Sequence, residues 1–375
     1  MSSYYLLPKG NIKLTNCFQL VYSENIPKNI LSPSLTHYLN EMLNNECLHT
    51  KSFYKLQNDV YPYYKNIILK HHFSLEFYEL FEIIQIMHLN KYIETNIKCP
   101  LQILSFEKKT PNASCLAFQH TKNNQQPPVQ KDMYFSYWNY GTDTLNIFEK
   151  IYMNFAAKNH IIFAGGNINN KRNLLYNNNN KNILIQICMA LCIQAKKGIF
   201  IWKVSDTYSQ LSLEIIYFLS SFYEKTYIIK PSIIDTSKSE KYIVCKGYLY
   251  DNSYSTYTYL HSFIKYMETY STNQYICRFL NINIPSFFIS KLEEVNYILG
   301  QSQLEQIHYL LLLYYHKYKD EKIQNISIIN EQKCIEWCRK FRFILQQNNY
   351  YTSSQLQSNK EFAIITRFLN YQNKV

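Results

Sequence analysis

No stretch of this sequence approaches the roughly 18 consecutive apolar residues that a membrane-spanning helix requires. The run LLLLYY at 310–315 is short and flanked by His308 and His316, which predicts a buried helix instead. The start MSSYYLLPKGN lacks the apolar core of a secretory signal, and ten cysteines among 375 residues lack the density of a disulfide framework. These absences predict a reduced intracellular protein with no membrane partner. Cys188 with Cys192, and Cys334 with Cys338, sit four apart on predicted helices. Neither pair has a second pair or a histidine at convincing metal-ligand spacing, so core packing is their expected role. No internal repeat stands out.

Acids are the scarce charge: 27 Asp plus Glu stand against 39 Lys plus Arg, a formal net charge of +12. That balance suits an anionic partner such as nucleic acid. The wealth of Lys, Tyr and Asn, plainest in NNNNK at 177–181, is equally the mark of an AT-rich genome, so charge alone assigns nothing.

A chain of this length buries a substantial core, as one large domain with additions or as two domains. Residues 1–95 read as an N-terminal region that includes a helix ahead of the core. In it, SLEFYELFEIIQIMHLNKYI, 74–93, places Phe77, Leu80, Ile84 and Met87 at helical spacing. Residues 96–250 alternate short apolar runs (QILSF, HIIFA, GIFIW, TYIIK, KYIVC) with helical stretches at 183–195 and 212–224. This pattern predicts an α/β layer on a mainly parallel sheet. The connection between TYIIK and KYIVC is too short for a crossover helix, so those two strands are expected to run antiparallel. Polar loops are predicted at 119–133 and 166–182, the second mobile because of its asparagines. Residues 251–375 read as a mostly helical C-terminal domain or cap with a polar stretch around 346–360.

The stretches ILIQICMALCIQAKKGIFIWKVSD, FLSSFYEKTYIIKP and SEKYIVCKGY, from 183 to 248, resemble the FtsJ-like cap-specific RNA 2′-O-methyltransferases in order, spacing and residue type. The resemblance extends more weakly back to Lys70. It implies a Rossmann-like SAM-dependent methyltransferase sheet with helical additions at both ends, and a Lys-Asp-Lys-Glu tetrad. By resemblance, Lys203 in IFIWK is the central lysine, Glu240 in SEKY the glutamate, and Lys70 the first lysine. The chemistry calls for such groups. A ribose hydroxyl is a poor nucleophile, and a nearby lysine of depressed pKa accepts its proton or stabilises the developing alkoxide. Neighbouring lysines depress one another, whereas carboxylates orient an amine and hold its charge. Taken alone, a lysine at a strand end is ordinarily a solvated edge residue.

Two departures bear on activity. The family's Asp-Gly-Gly-like motif here reads Ala164-Gly165-Gly166, and the neutral amide of Asn167 replaces the carboxylate only after a loop rearrangement. The family's Pro-Gly-Gly-like SAM loop, where glycine admits close backbone approach, here reads Pro111-Asn112-Ala113, with Lys108 and Lys109 bringing positive charge. Gly141 and Asp143 in YWNYGTDTLN are the remaining candidates for the cofactor. The expected function is therefore a silent or impaired methyltransferase homologue that binds RNA, including capped mRNA, or serves assembly with capping, transcription or virion proteins. Lys70, Lys203 and Lys230 are then candidate phosphate contacts, with Tyr137 and Trp138 as stacking surfaces. The alternatives are an active cap 2′-O-methyltransferase that draws its acid from another loop, and a protein scaffold without an RNA role. No cofactor is expected in the silent case, and SAM in the active one. The cap-enzyme flavour and AT-rich composition suit a viral or parasite genome, and a viral source implies a cytoplasmic or virion-associated protein.

Overall fold

The apolar runs and intervening helices assemble in a computed structural model. It describes residues 3–15, 17–25, 29–60, 74–97, 103–105, 133–134, 144–165, 174–251, 253–269, 274–315 and 320–341. The strands are β1 (Ser3–Leu7), β2 (Phe18–Ser23), β3 (Ile103–Ser105), β4 (Met133–Tyr134) and β5 (Asn159–Ala164), then β6 (Gln194–Val204), β7 (Tyr223–Lys230), β8 (Lys241–Tyr248) and β9 (Tyr275–Leu280). The helices are α1 (Pro33–Leu43), α2 (Lys51–Val60), α3 (Leu75–Ile86), α4 (Leu89–Asn96) and α5 (Thr144–Phe155), followed by α6 (Leu174–Ile193), α7 (Gln210–Phe222), α8 (Ser253–Glu268), α9 (Ser286–Tyr315) and α10 (Asp320–Lys340).

Seven strands form one sheet in the order β1-β7-β8-β6-β5-β3-β4, and β2 pairs with β9 separately. This mixed α/β architecture is the Rossmann-like arrangement that the sequence predicts. The sheet is mainly parallel, as expected, since β4, β3, β5, β6 and β7 all point one way and β8 and β1 run against them. The β4-β3-β5-β6 half is parallel, whereas β8 runs antiparallel to both β6 and β7, and β1 antiparallel to β7. The cause is local: α7 carries the chain from β6 across to β7, and the short connection after β7 turns it back into the gap between them.

Strand alternation sorts side chains to two faces. Ile162, Ala164, Phe200 and Trp202 join the larger core beneath α6, α7 and α8. Ile161, Phe163, Ile199 and Ile201 face the second core, built from α3, α4 and α10. The larger core also takes Leu7 and Leu20 from the N-terminal region and Phe263, Phe279 and Phe288 from beyond residue 251. The four cysteines of the two spaced pairs are buried in these cores. In α9, Leu310, Leu311 and Leu313 of the LLLLYY run are buried and Leu312 is exposed. Among the described residues, no helix is long and apolar enough to cross a membrane.

Three boundaries differ from expectation. The predicted helix over 74–93 is broken: α3 ends at Ile86, and His88 takes a left-handed conformation (φ 49°) before α4. Its buried surface is also wider than the predicted stripe, because Tyr78, Glu79, Phe81, Glu82 and Ile83 are buried beside Phe77, Leu80 and Ile84. The expected loop over 166–182 contains the first turns of α6, which begins at Leu174. Asparagine costs a helix interior under about 0.7 kcal/mol per residue, so a helix already docked through 183–193 extends back through the run. The mostly helical C-terminal region also contributes a strand, β9, paired with β2.

Glu82 ties the site-bearing face together. Its Oε1 accepts from the backbone N–H (2.6 Å) and hydroxyl (2.9 Å) of Ser232. Its Oε2 accepts from the indole Nε1 of Trp337 (2.8 Å) and the N–H of Ile233 (3.3 Å). One carboxylate thus joins α3, the β7–β8 connection and α10. Burial pushes its pKa up, opposed by these four donors. Glu82→Ala strands buried donors and is expected to cost about 3 kcal/mol, read as a lower midpoint in urea unfolding with the slope unchanged.

Candidate active site

Lys203 emerges near the end of β6, between Trp202 and Val204 of the larger core, and so projects to the α3 side of the sheet. Ser74 caps α3 by accepting the N–H of Phe77, and one turn later Glu79 points at the lysine. Its Oε2 lies 2.7 Å from the Lys203 Nζ and accepts from the hydroxyl of Tyr242 at 2.5 Å. Tyr242 is the strand partner of Lys203 across β8, so register alone brings its ring beside the amine, 5.6 Å from centroid to Nζ. Glu240, just ahead of β8, stands 3.7 Å from the same amine. Glu79 is fully buried, Lys203 is 18% exposed and Glu240 is 38% exposed, so the cluster opens to solvent on its Glu240 side.

Burial lowers the Lys203 pKa, but the attraction of Glu79 and Glu240 outweighs it and the amine ends above its usual value. Burial pushes Glu79 up against the pull of Lys203 and Tyr242. Its Oε1 is buried and has no hydrogen-bond partner among the described residues. The cluster is a lysine held as a cation between two carboxylates, with one open acceptor. Such an arrangement stabilises negative charge or orients a donor; it is a poor proton acceptor near neutrality.

β5 approaches this cluster through Gly165. Its φ of 141° and its position, where an added Cβ would lie 3.0 Å from the Lys203 Cβ, both call for glycine. The methyl of Ala164 belongs to the core on the opposite face, opposite Trp202 in register. The carboxylate beside Lys203 comes from helix α3.

Of the residues named from the sequence, Lys203 and Glu240 come together. Lys230 lies at the end of β7, largely buried, with its amine donated to the carbonyls of Thr236 (3.4 Å) and Lys238. Burial brings it down to about 8, opposed by Asp235 and Glu240. Lys70, Pro111, Asn112, Ala113, Tyr137, Trp138, Gly141, Asp143, Gly166 and Asn167 lie outside the described residues. Sequence reasoning missed Glu79, Tyr242 and Lys241. Glu79 gives no local signal, because Glu76, Glu79, Glu82 and Gln85 recur every three residues and read as the polar side of an amphipathic helix. Lys241 starts β8 on the other face, donating to the carbonyl of Ser205 at 3.3 Å and lying 5.4 Å from the Tyr208 ring centroid. Burial and the charge of Lys230 bring it to about 7, opposed by Asp206.

Residues 132–248 match the FtsJ-like methyltransferase family. The relatives are named Cap-specific mRNA (nucleoside-2′-O-)-methyltransferase 1. The Homo sapiens protein is 32% identical over 90 residues, which is 24% of this chain and 11% of that protein. The Caenorhabditis elegans protein is 27% identical over 134 residues, 35% of this chain and 13% of that protein. The Trypanosoma cruzi protein is 37% identical over 60 residues, 16% of this chain and 17% of that one. The chain therefore matches only a small part of these relatives' lengths. The resemblance read from the sequence stands, and the matched span runs from β4 to the end of β8, including Lys203 and Glu240.

Two titrations check this electrostatic account. Glu79→Gln removes the nearer anion, so the Lys203 pKa is expected to fall below the ordinary lysine value of 10.5, followed by pH-dependent amine labelling with mass-spectrometric readout at Lys203. Lys241 carries the opposite sign. Its folded pKa of about 7 lies below the unfolded value of roughly 10.4, so the unfolded chain binds more protons between them and stability rises with pH across that window. Lys241→Met is expected to flatten that rise in urea midpoints measured from pH 7 to pH 10.

Proposed function

We propose that this chain is an RNA 2′-O-methyltransferase homologue of the mRNA cap class. Its methyl transfer is silent or impaired, and its retained site serves RNA binding or assembly in capping or transcription. The observation that carries this reading is the clamp on Lys203: a carboxylate at 2.7 Å and a second at 3.7 Å raise the pKa of the amine that would accept the ribose proton. An amine held as a cation takes up no proton at neutral pH. The replacement of the family's acid by Ala164, and of its loop glycines by Asn112 and Ala113, points the same way.

SAM fits the sign of this cluster, since two carboxylates against one ammonium suit a cationic methyl donor. It would supply the electrophilic methyl group, and the resemblance assigns its binding to the 111–113 segment with Gly141 and Asp143. On the chain's own side, Lys203 would stabilise an oxyanion, Glu240 would orient the amine from the solvent side, and Tyr242 would fix Glu79. One observation favours a second, active reading: Glu79 puts a carboxylate on Lys203 from a different element, so the missing acid has a substitute. Cytoplasmic or virion-associated residence extends from the capping reading and the AT-rich composition.

The two readings predict opposite effects of one substitution. Transfer of labelled methyl from SAM to a short cap-0 RNA is measured for the native chain, Lys203→Ala and Glu79→Gln at pH 7.5. The silent reading expects the native chain to match Lys203→Ala and Glu79→Gln to gain activity, because the amine loses its nearer counter-ion. Native transfer to the 2′-oxygen, abolished in both variants, overturns silence and makes Glu79 the working acid.

A further inference from the structure

We propose that the end of the sheet away from Lys203, where Lys225 and Lys246 face one another, docks the phosphate backbone of single-stranded RNA. The proposal rests on an RNA partner and is independent of whether methyl transfer occurs. Lys225 of β7 and Lys246 of β8 are directly paired in register. Like charges opposite one another on neighbouring strands are destabilising, and neither lysine forms an ion pair among the described residues. Along β8, Lys246 is four residues from Tyr242, the partner of Lys203, which at about 3.3 Å per residue puts some 13 Å between the two places.

The surroundings present the pair at the surface. Lys246 lies 4.4 Å from the Tyr92 ring centroid, a cation–π contact that holds the amine at the surface. Desolvation and Lys225 lower its pKa, opposed by Glu224. The nearby acids are engaged by two other lysines: Lys197 pairs with Glu224, and Lys196 with Asp251 at 2.5 Å. Gly247, at φ 80°, makes room for Glu224, since a Cβ there would lie 2.5 Å from its Oε2. Four ammonium groups on three adjacent strands thus meet two carboxylates. A phosphate between Lys225 and Lys246 would relieve their repulsion with two charge-assisted contacts. Beyond β8, Tyr250 is 43% exposed, and its ring packs on Phe222 and Tyr248. Lysines and an exposed, supported aromatic ring four residues on from Lys246 at one end of β8 suit single-stranded nucleic acid, which offers phosphates and bases together. An acidic peptide offers only the charge.

The test is fluorescence anisotropy of the full chain with a labelled, uncapped single-stranded RNA over a salt series. The double variant K225Q/K246Q is expected to lower the slope of log K against log salt by about 1.4, two contacts at ~0.7 each. K225R/K246R is expected to keep the native slope, and so is Lys55→Gln, an exposed lysine on α2. An unchanged slope in K225Q/K246Q, with native binding intact, overturns this site and leaves the RNA reading standing. Absence of RNA binding by the native chain overturns both. Polyglutamate or inorganic phosphate that displaces the RNA as effectively as unlabelled RNA, at equal charge concentration, overturns the assignment to nucleic acid.

Discussion

The contact between the Lys203 ammonium and the buried Glu79 carboxylate organises the working face of this protein. Neither charge is tolerable there alone, because a lone ion in an apolar interior loses several kcal/mol of hydration. Their pairing therefore constrains everything that delivers them: the register that puts Tyr242 opposite Lys203, the cap that starts α3 at Ser74, and the glycine that lets β5 pass close to the lysine. Glu82, one turn further along α3, binds the β7–β8 connection, whose far end carries Glu240. The same helix thus supplies one carboxylate of the cluster and anchors the loop that supplies the other.

Silence and activity differ here by the use made of one ion pair. A lysine that accepts a proton has to be neutral some of the time, which burial favours and flanking anions oppose. In this cluster the anions prevail. Lys230 and Lys241 show the contrary balance within the same sheet: buried, and offered carbonyls rather than close carboxylates, they are brought to about 8 and about 7. The fold therefore has the means to depress a lysine, and it does so away from the cluster rather than at Lys203.

The pattern of apolar runs made the layered α/β class legible, and the short link after TYIIK made the antiparallel pair β7–β8 legible. Period and length carry that information locally. The placement of β8 between β6 and β7, which sets one reversed strand between two that point the same way, was not legible, because strand order depends on where a crossover lands. Lys203 and Glu240 were legible through resemblance. Glu79 was not, since it lies 124 residues before its partner and reads locally as one polar position in an amphipathic helix.

The sequence by itself determined most element types and the strand ends that bear Lys203 and Glu240, since these rest on local pattern, and it placed Ala164, with no acid, at the end of β5. Only the tertiary structure decided that a carboxylate nonetheless meets the lysine. Ala164 sits on the opposite face of the sheet, and α3 packs across the near face with Glu79 inward. A buried carboxylate needs donors within hydrogen-bond reach, and for Glu79 the packing provides the Lys203 ammonium and the Tyr242 hydroxyl.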